Sequence, residues 1–137
     1  MKPLVIDASI AIKWFIPECG SIGAIKLLNR SIQLFAPDII RPEVANTLWK
    51  LHTRKMLTVD EASRIIENFL SSPIEVCSSD ALIAPAFEIA VATRRTVYDS
   101  LYVALAIERN AVLMTADQRL ANALKNTGFS RFVRILR

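Results

Sequence analysis

The stretch LVIDAS, residues 4–9, decides how the rest of the chain is interpreted. Leu4 to Ile6 form a short, branched apolar run with no polar residue inside it, which is typical of a strand buried on both faces. Strands of this kind belong to parallel sheets that are covered by helices on both sides. The run ends on Asp7, and a carboxylate at the end of a buried strand needs a physical reason to be there.

Strands and helices alternate along the chain. Further strands are predicted at residues 32–36, 74–76, 112–114 and 132–136. Helices are predicted between them, at residues 9–15, 21–29, 42–55, 58–70, 81–93, from 99 onwards and at 116–126. The alternation predicts an α/β fold with a parallel sheet and helices on both faces. The length suits one domain, residues 1–137.

Local signals mark two of the predicted helix starts. Pro42 suits a first helical position, where its missing N–H costs nothing. Thr58 followed by Glu61 forms the pattern of a capping box. The apolar residues of the helix pair at 42–70 suit either a core or a dimer surface.

Acidic residues stand where predicted strands end or predicted helices begin, and four of them are candidates for one site: Asp7, Glu43, Asp99 and Asp117. Asp7 and Asp117 follow the first and fourth strands. Glu43 lies in the first turn of a helix, and Asp99 starts the helix that contains YDSLYVALAI, residues 98–107. Because ligands of open parallel sheets bind outside the carboxyl ends of the strands, we expect these acids at one edge.

Helix capping is the competing explanation for each acid. Asp is a favoured N-cap, and carboxylates in a first helical turn are stabilised by the helix dipole. We assign Asp60, Glu61 and Asp80 to capping, the last of them at the start of helix 81–93. The four candidate acids differ because each is embedded among apolar residues near the sheet edge.

A cluster of carboxylates has an energetic consequence. Two carboxylates about 5 Å apart repel by roughly 3 kcal/mol at an effective dielectric constant of about 20. Either protons or a cation must therefore be taken up. Oxygen ligands without His or Cys favour a hard ion, Mg²⁺ or Mn²⁺, over Zn²⁺. Such an ion is suited to phosphate chemistry and requires no nucleophilic side chain.

The charge balance is compatible with a polyanionic substrate. Seventeen basic and thirteen acidic residues give a net charge of +4, and apart from the four candidate acids only nine acidic residues face the seventeen basic ones. A basic balance does not by itself establish nucleic-acid binding. Arg41, Arg94, Arg95 and Arg119 lie near the candidate site in sequence. One hypothesis is that some of these arginines contact phosphate groups. For any single one of them, we favour the simpler interpretation that it is a solvated surface residue.

No side chain stands out as a nucleophile. His52 is alone and is predicted to be a solvated surface residue. Cys19 and Cys77 form no CxxC pair and are expected to be reduced thiols in or near the core. No secretory signal is recognised, and no apolar segment reaches the roughly 20 residues of a membrane helix. A cytoplasmic protein without membrane contact is therefore expected.

These motifs together resemble those of PIN-domain ribonucleases, in particular the VapC toxins of prokaryotic toxin–antitoxin pairs. The matching stretches are VIDASI at 5–10, PEVANTL at 42–48, YDSLYVALA at 98–106 and LMTADQRL at 113–120. They occur in the family's order and extend over the whole chain. The resemblance implies a three-layer α/β/α sandwich around a parallel sheet.

The resemblance also implies a set of site residues. The four acids match the family's acidic quartet, which holds one or two Mg²⁺ or Mn²⁺ ions and activates a water that cleaves RNA. Asp7 and Asp99 are the first candidates for direct ligands. Ser9 and Thr115 match small polar positions that either hydrogen-bond the carboxylates or the water of the ion, or serve as a helix cap and a strand-end partner.

The family further implies two protein partners. Its members form homodimers, and a small VapB-like antitoxin neutralises them by laying its tail over the active site. A non-catalytic alternative stays open, in which a PIN fold acts as an RNA-binding or regulatory interaction module. The complete set of four acids argues against that alternative.

Other functional classes fit the sequence less well. A phosphatase of the haloacid dehalogenase type needs Asp-x-Asp after the first strand, where this chain has Asp7, Ala8 and Ser9. A receiver domain needs adjacent acids at the same place and a Lys after its last strand. A nucleotide-binding protein needs a glycine-rich phosphate loop, and none of the three glycines lies in one.

Overall fold

The computed structural model describes residues 2–18, 20–28 and 31–136. A five-stranded sheet forms its centre, with the strand order β3-β2-β1-β4-β5 and every neighbouring pair parallel. The strands are β1 (Leu4–Ile6), β2 (Leu34–Pro37), β3 (Ile74–Cys77), β4 (Val112–Thr115) and β5 (Val133–Ile135). The predicted α/β fold with a central parallel sheet is confirmed.

Helices connect successive strands. Those described are α1 (Ala8–Lys13), α2 (Ser21–Leu28), α3 (Ile40–Thr53), α4 (Val59–Leu70), α5 (Ile83–Thr93), α6 (Val97–Glu108) and α7 (Gln118–Leu124). Short 3₁₀ helices at Asp80–Leu82 and Ser130–Phe132 precede α5 and β5. Right-handed crossovers place α1 to α4 on one face of the sheet and α5 to α7 on the other, which gives three layers.

The core is densest around β1, β4 and α6. Both strands are buried along their whole length, as expected of strands covered on two faces. Helix α6 crosses β1 and β2 on its way from the edge strand β3 to β4, and it contacts all three inner strands. Its residues 100–106 are all buried. This crossing explains why YDSLYVALAI is apolar around nearly its whole circumference.

Two helices begin earlier than the sequence predicted. Pro42 is the third residue of α3, not the first, because the helix begins at Ile40 directly after a tight turn. The position still suits proline, since N–H groups of a first helical turn have no partner within the helix. Helix α6 begins at Val97, and its N-cap is Thr96, whose Oγ1 accepts from the N–H of Asp99 at 3.0 Å. Asp99 therefore lies within the first turn and is not the first residue.

The capping role predicted for Asp80 is wrong. Asp80 lies inside a 3₁₀ helix whose N-cap is Ser79 and which has no side-chain cap. The carboxylate that bonds to the start of this 3₁₀ helix belongs to Asp38, directly after β2. It accepts from the N–H of Ser79 at 3.3 Å and also from the hydroxyl of Ser79. The capping box of Thr58 and Glu61 is present as predicted, and it lowers the pKa of Glu61.

Smaller differences concern element ends and surface residues. Strand β2 extends to Pro37, one residue further than predicted, and α7 ends at Leu124, earlier than predicted. Leu70, the last residue of α4, is exposed. Cys77 is a free, half-buried thiol, whereas Cys19 and the predicted helix end at residue 29 lie outside the described residues. Among the described residues, every helix is too short or too polar to cross a membrane.

The dependence of the fold on β4 is testable by truncating Leu113. This side chain is fully buried between the two helical layers, so Leu113→Ala is expected to lower the free energy of unfolding by about 2–5 kcal/mol. Leu70→Ala, at an exposed position of α4, is the matched control and is expected to cost less than about 1 kcal/mol. Urea unfolding of both variants measures the difference, and equal losses would contradict this account of the core.

Candidate active site

The pairing of β1 with β4 creates the centre of the site. Their register places Leu4 beside Val112, Val5 beside Leu113 and Ile6 beside Met114. The next residues along, Asp7 and Thr115, are therefore neighbours at the carboxyl ends of both strands. At this point the chain order of the sheet reverses, since β1 has β2 on one side and β4 on the other. Such a switch point is where parallel sheets form ligand crevices.

Asp7 is buried and surrounded by hydrogen-bond donors. Its Oδ1 accepts from Ser9 Oγ at 2.5 Å and from the N–H of Ile10 at 3.3 Å, so that Asp7 is the N-cap of α1. Its Oδ2 accepts from the hydroxyl of Thr115. Ser9 Oγ in turn accepts from the N–H of Ala116 at 2.9 Å. The first and fourth strands are thus tied together through one carboxylate.

Burial raises the pKa of Asp7 above its ordinary value of 3.8, because the carboxylate loses the solvation that favours its charged form. Hydrogen bonds from Ser9, Thr115 and Ile10 oppose this rise, while the negative charge of Asp117 adds to it. The net direction is upward. In the absence of a cation, the ionised carboxylate of Asp7 therefore disfavours the folded state.

Asp117 is both an N-cap and a neighbour of Asp7. Its Oδ1 accepts from the N–H groups of Arg119 and Leu120 at 3.0 and 3.3 Å, which caps α7. Its own N–H donates to Thr115 Oγ1 at 3.0 Å. Thr115 therefore links the two acids, since its hydroxyl donates to one and accepts from the backbone of the other.

Glu43 is held by a residue that sequence reasoning missed. Tyr102, buried on α6, donates its hydroxyl proton to Glu43 Oε1 at 2.5 Å. Burial raises the pKa of Glu43; the tyrosine bond opposes the rise, and the charges of Asp7 and Asp99 add to it. Burial and the neighbouring charge of Glu43 likewise raise the pKa of the Tyr102 phenol far above its usual range. Tyr102 lies three residues after Asp99, on the same face of the helix, and this spacing was the sequence signal that could have identified it as a site residue.

Asp99 forms an ion pair with Arg95. The guanidinium Nη2 donates to Asp99 Oδ2 at 2.8 Å, and both side chains are about a quarter exposed. A solvated face was preferred for Arg95, and this expectation is wrong. The same expectation is right for Arg41, Arg94 and Arg119, which are exposed. His52 is exposed too, as predicted.

The fold brings the four acids into one electrostatic neighbourhood. Asp7 is affected by the charge of Asp117, and Glu43 by the charges of Asp7 and Asp99. Each acid nevertheless has a partner of its own. Within the described ranges, no group of three or more His, Cys, Asp or Glu side chains is arranged to hold a metal ion.

The chemistry of the donors fits a hard divalent ion. The oxygens that converge here belong to carboxylates and hydroxyls, which are ligands of Mg²⁺ and Mn²⁺ in proteins. One guanidinium partly offsets several carboxylates, so a cation would relieve their repulsion. Asp99 Oδ2 is bonded to Arg95, so this oxygen would have to leave the guanidinium before it could contact a shared ion.

Comparison with known proteins gives consistent matches. A family model described as PIN domain matches residues 4–125. Ribonuclease VapC3 of Pyrobaculum aerophilum is 37% identical over 120 residues, which cover 86% of this chain and 92% of that protein. Ribonuclease VapC3 of Mycobacterium tuberculosis, strain CDC 1551 / Oshkosh, is 28% identical over 122 residues, which cover 89% of this chain and 88% of that protein.

Solved structures share the fold at low sequence identity. A crystal structure of a protein from Pyrobaculum aerophilum superposes with a TM-score of 0.72 at 24% identity, covering 89% of this chain and 79% of the other. The VapBC2 structure from Rickettsia felis, bound to a fragment of its promoter DNA, has a TM-score of 0.71 at 15% identity and covers 98% of each chain. These two likenesses concern the fold alone.

The burial of Asp7 leads to a pH-dependent prediction. The folded-state pKa of Asp7 is raised, so the protonated carboxyl stabilises the folded state. This contribution to the free energy of unfolding is complete below the unfolded pKa of 3.8 and is lost as pH rises through the folded pKa. Asp7→Asn keeps an acceptor for the N-cap bond and for Ser9, places an NH₂ donor against Thr115, and does not ionise. In metal-free buffer the stability of this variant relative to the wild type should therefore be greater at pH 7–8 than near pH 4.

Thermal unfolding of metal-free protein across this pH range tests the prediction. Asp80→Asn, at an exposed position, is the control and should show no such trend. A difference between wild type and Asp7→Asn that stays constant with pH would mean that Asp7 ionises in the folded protein as it does in the unfolded chain.

Proposed function

The chain belongs to the PIN-domain family, and from this premise we propose that it is a VapC-type ribonuclease, the toxin component of a toxin–antitoxin pair. We propose further that it hydrolyses phosphodiester bonds of RNA in the cytoplasm, with Mg²⁺ or Mn²⁺ held by Asp7, Glu43, Asp99 and Asp117, and that residues 1–137 form a single PIN domain. The relatives named as ribonucleases support the activity. The shared electrostatic neighbourhood of the four acids is the observation that supports the site.

Each acid has a distinct place in the proposed site. Asp7 is fixed by Ser9, Thr115 and the start of α1, so it is the acid whose position costs least to maintain when an ion binds. Glu43 is oriented through its Oε1 by Tyr102, which leaves Oε2 for the ion or for water. Asp99 and Asp117 are less buried than Asp7 and complete the set from the starts of α6 and α7.

A divalent ion in this site would lower the pKa of a bound water, polarise a phosphoryl oxygen and stabilise the charge that develops during displacement. The protein supplies the oxygen ligands and their orientation. The proposed reaction is a hydrolysis: the oxygen of water adds to phosphorus, the P–O ester bond breaks, and the departing oxygen takes up a proton. No side chain of this chain is required as a nucleophile.

Two protein partners belong to the proposal. The first is a VapB-like antitoxin, which fits a chain whose fold is shared with a toxin–antitoxin complex from Klebsiella pneumoniae (15% identity, TM-score 0.68) and with VapBC2 of Rickettsia felis. The second is another copy of this chain. Ile83, Phe87 and Val91 lie four residues apart on α5 and are all at least half exposed. They form one apolar row that a homodimer would bury.

A non-catalytic RNA-binding or regulatory role is the second candidate. The observation in its favour is that no three acids among the described residues stand ready to hold an ion. It makes a different prediction for the acids, because their substitution would leave an RNA-binding module functional. Cleavage measurements on acid variants therefore separate the two candidates.

Substitution of the acids is expected to abolish cleavage. Asp7→Asn and Asp99→Asn should each lower Mn²⁺-dependent cleavage of a short RNA by roughly 100-fold or more, the scale on which loss of one charge-stabilising group acts. Circular dichroism should show that both variants remain folded. Asp80→Asn, an exposed acid outside the site, should retain activity. Persistent cleavage in either site variant, or wild-type cleavage that ignores both Mn²⁺ and EDTA, would refute the metal-dependent mechanism.

The proposed dimer can be tested by charge insertion. Phe87→Glu places a carboxylate in the centre of the α5 row and should convert a dimer to a monomer at micromolar concentration. Trp49→Glu alters an equally exposed aromatic residue on α3 and should leave the dimer intact. Sedimentation velocity measures both. Dissociation caused only by Trp49→Glu would place the interface on α3 and α4.

A further inference from the structure

The ion pair between Arg95 and Asp99 uses a carboxylate that the proposed site needs. Arg95 Nη2 donates to Asp99 Oδ2 at 2.8 Å, four residues apart along the chain. Both side chains retain about a quarter of their exposure, so solvent and solutes reach the pair. Arg95 is thus a positive charge of the protein itself, located where a divalent ion would compete with it.

The loop before α6 is built so that Arg95 reaches this position. Helix α5 ends at Thr93, and its C-cap, Arg94, has a φ of 62° in the left-handed region that glycine usually occupies. The N–H of Arg95 donates to Thr93 Oγ1 at 3.2 Å, and Thr93 in turn donates to Ile89 O at 2.7 Å. Thr96 then caps α6. The hydroxyls of Thr93 and Thr96 therefore fix the backbone on both sides of Arg95. From this backbone position its side chain reaches Asp99.

The guanidinium of Arg95 is incompletely satisfied in this position. Its Nε is buried and has no hydrogen-bond partner among the described residues. A buried N–H without an acceptor is unfavourable, so part of the desolvation cost of the Arg95 guanidinium is not compensated while it pairs with Asp99. Arg95 consequently loses less on leaving Asp99 than a fully bonded arginine would.

We propose that Arg95 is an intramolecular counter-cation, which occupies Asp99 while the site is metal-free and sets the concentration at which a divalent ion displaces it. This inference rests on the proposed function, because it takes Asp99 as a metal ligand. Arg95 is then a positioning residue: it pairs with Asp99 Oδ2 in the metal-free protein and releases it when the ion binds.

The sign of the effect follows from the charges. Removing Arg95 removes a competitor for Asp99 and also a positive charge that repels the ion. Because a pair this exposed is screened by solvent, the gain is moderate. Arg95→Gln is expected to bind Mn²⁺ roughly 10-fold more tightly than the wild type. Arg95→Lys keeps the charge and should stay within about 3-fold of the wild type.

The experiment titrates Mn²⁺ alone into the full-length protein and follows the free-ion signal by electron paramagnetic resonance, so that no catalytic activity is needed. Arg94→Gln is the matched control, since it removes an exposed charge next to Arg95 that contacts none of the four acids. It should bind Mn²⁺ as the wild type does. Arg95→Gln should bind more tightly, and its gain should shrink in an Asp99→Asn background, as expected when the effect acts through Asp99.

The outcomes separate this inference from the proposed function. If the wild type binds Mn²⁺, Asp99→Asn weakens binding and Arg95→Gln binds equally or more weakly, Arg95 is not a competitor and the inference is overturned. An equal gain in Arg94→Gln would reduce the effect to general surface charge and would also overturn it. If the wild type shows no Mn²⁺ binding at all, the proposed metal site itself fails.

Discussion

The parallel pairing of β1 with β4 is the constraint on which the rest of the structure depends. It is formed by residues far apart in sequence, and it brings Asp7 beside Thr115 at the point where the strand order reverses. To reach this pairing from the edge strand β3, the chain must cross β2 and β1, and α6 makes that crossing. The helix is consequently buried on most sides, and its first two turns bring Asp99 and Tyr102 to the same edge of the sheet.

Capping and catalysis are not exclusive explanations for the acids of this chain. Asp7 and Asp117 are true N-caps, with carboxylate oxygens that accept backbone N–H groups of α1 and α7. The same bonds fix the carboxylates at the carboxyl edge of the sheet, where the proposed ion would lie. A cap uses part of the acceptor capacity of a carboxylate. The hydrogen bond that starts the helix can therefore also orient the metal ligand.

Sequence patterns predicted the elements well because burial dictates them. Unbroken apolar runs marked the strands, and the strand-to-helix order implied that several acids lie at one edge. Asp80 is not a cap because Asp38, distant in sequence, already accepts hydrogen bonds from Ser79 at the start of that 3₁₀ helix. Tyr102 and Arg95 were missed as partners since a tyrosine in an apolar helix and an arginine in a loop look ordinary until the fold places an acid beside them.

The partners of the acids also indicate how the site can be stable without an ion. Hydroxyls serve Asp7, a phenol serves Glu43, a guanidinium serves Asp99 and backbone N–H groups serve Asp117. Among these only the guanidinium carries a charge. Burial therefore raises the pKa of Asp7 and of Glu43, whose partners are neutral.

An anionic phosphodiester would be repelled by four ionised carboxylates and one guanidinium, which leave three negative charges at one edge. A divalent cation would offset two of these three charges without protonation of the carboxylates. In the proposed function, a bound ion would therefore make this edge less repulsive to an RNA phosphate. This expectation follows from the charges, whichever acid contacts the ion first.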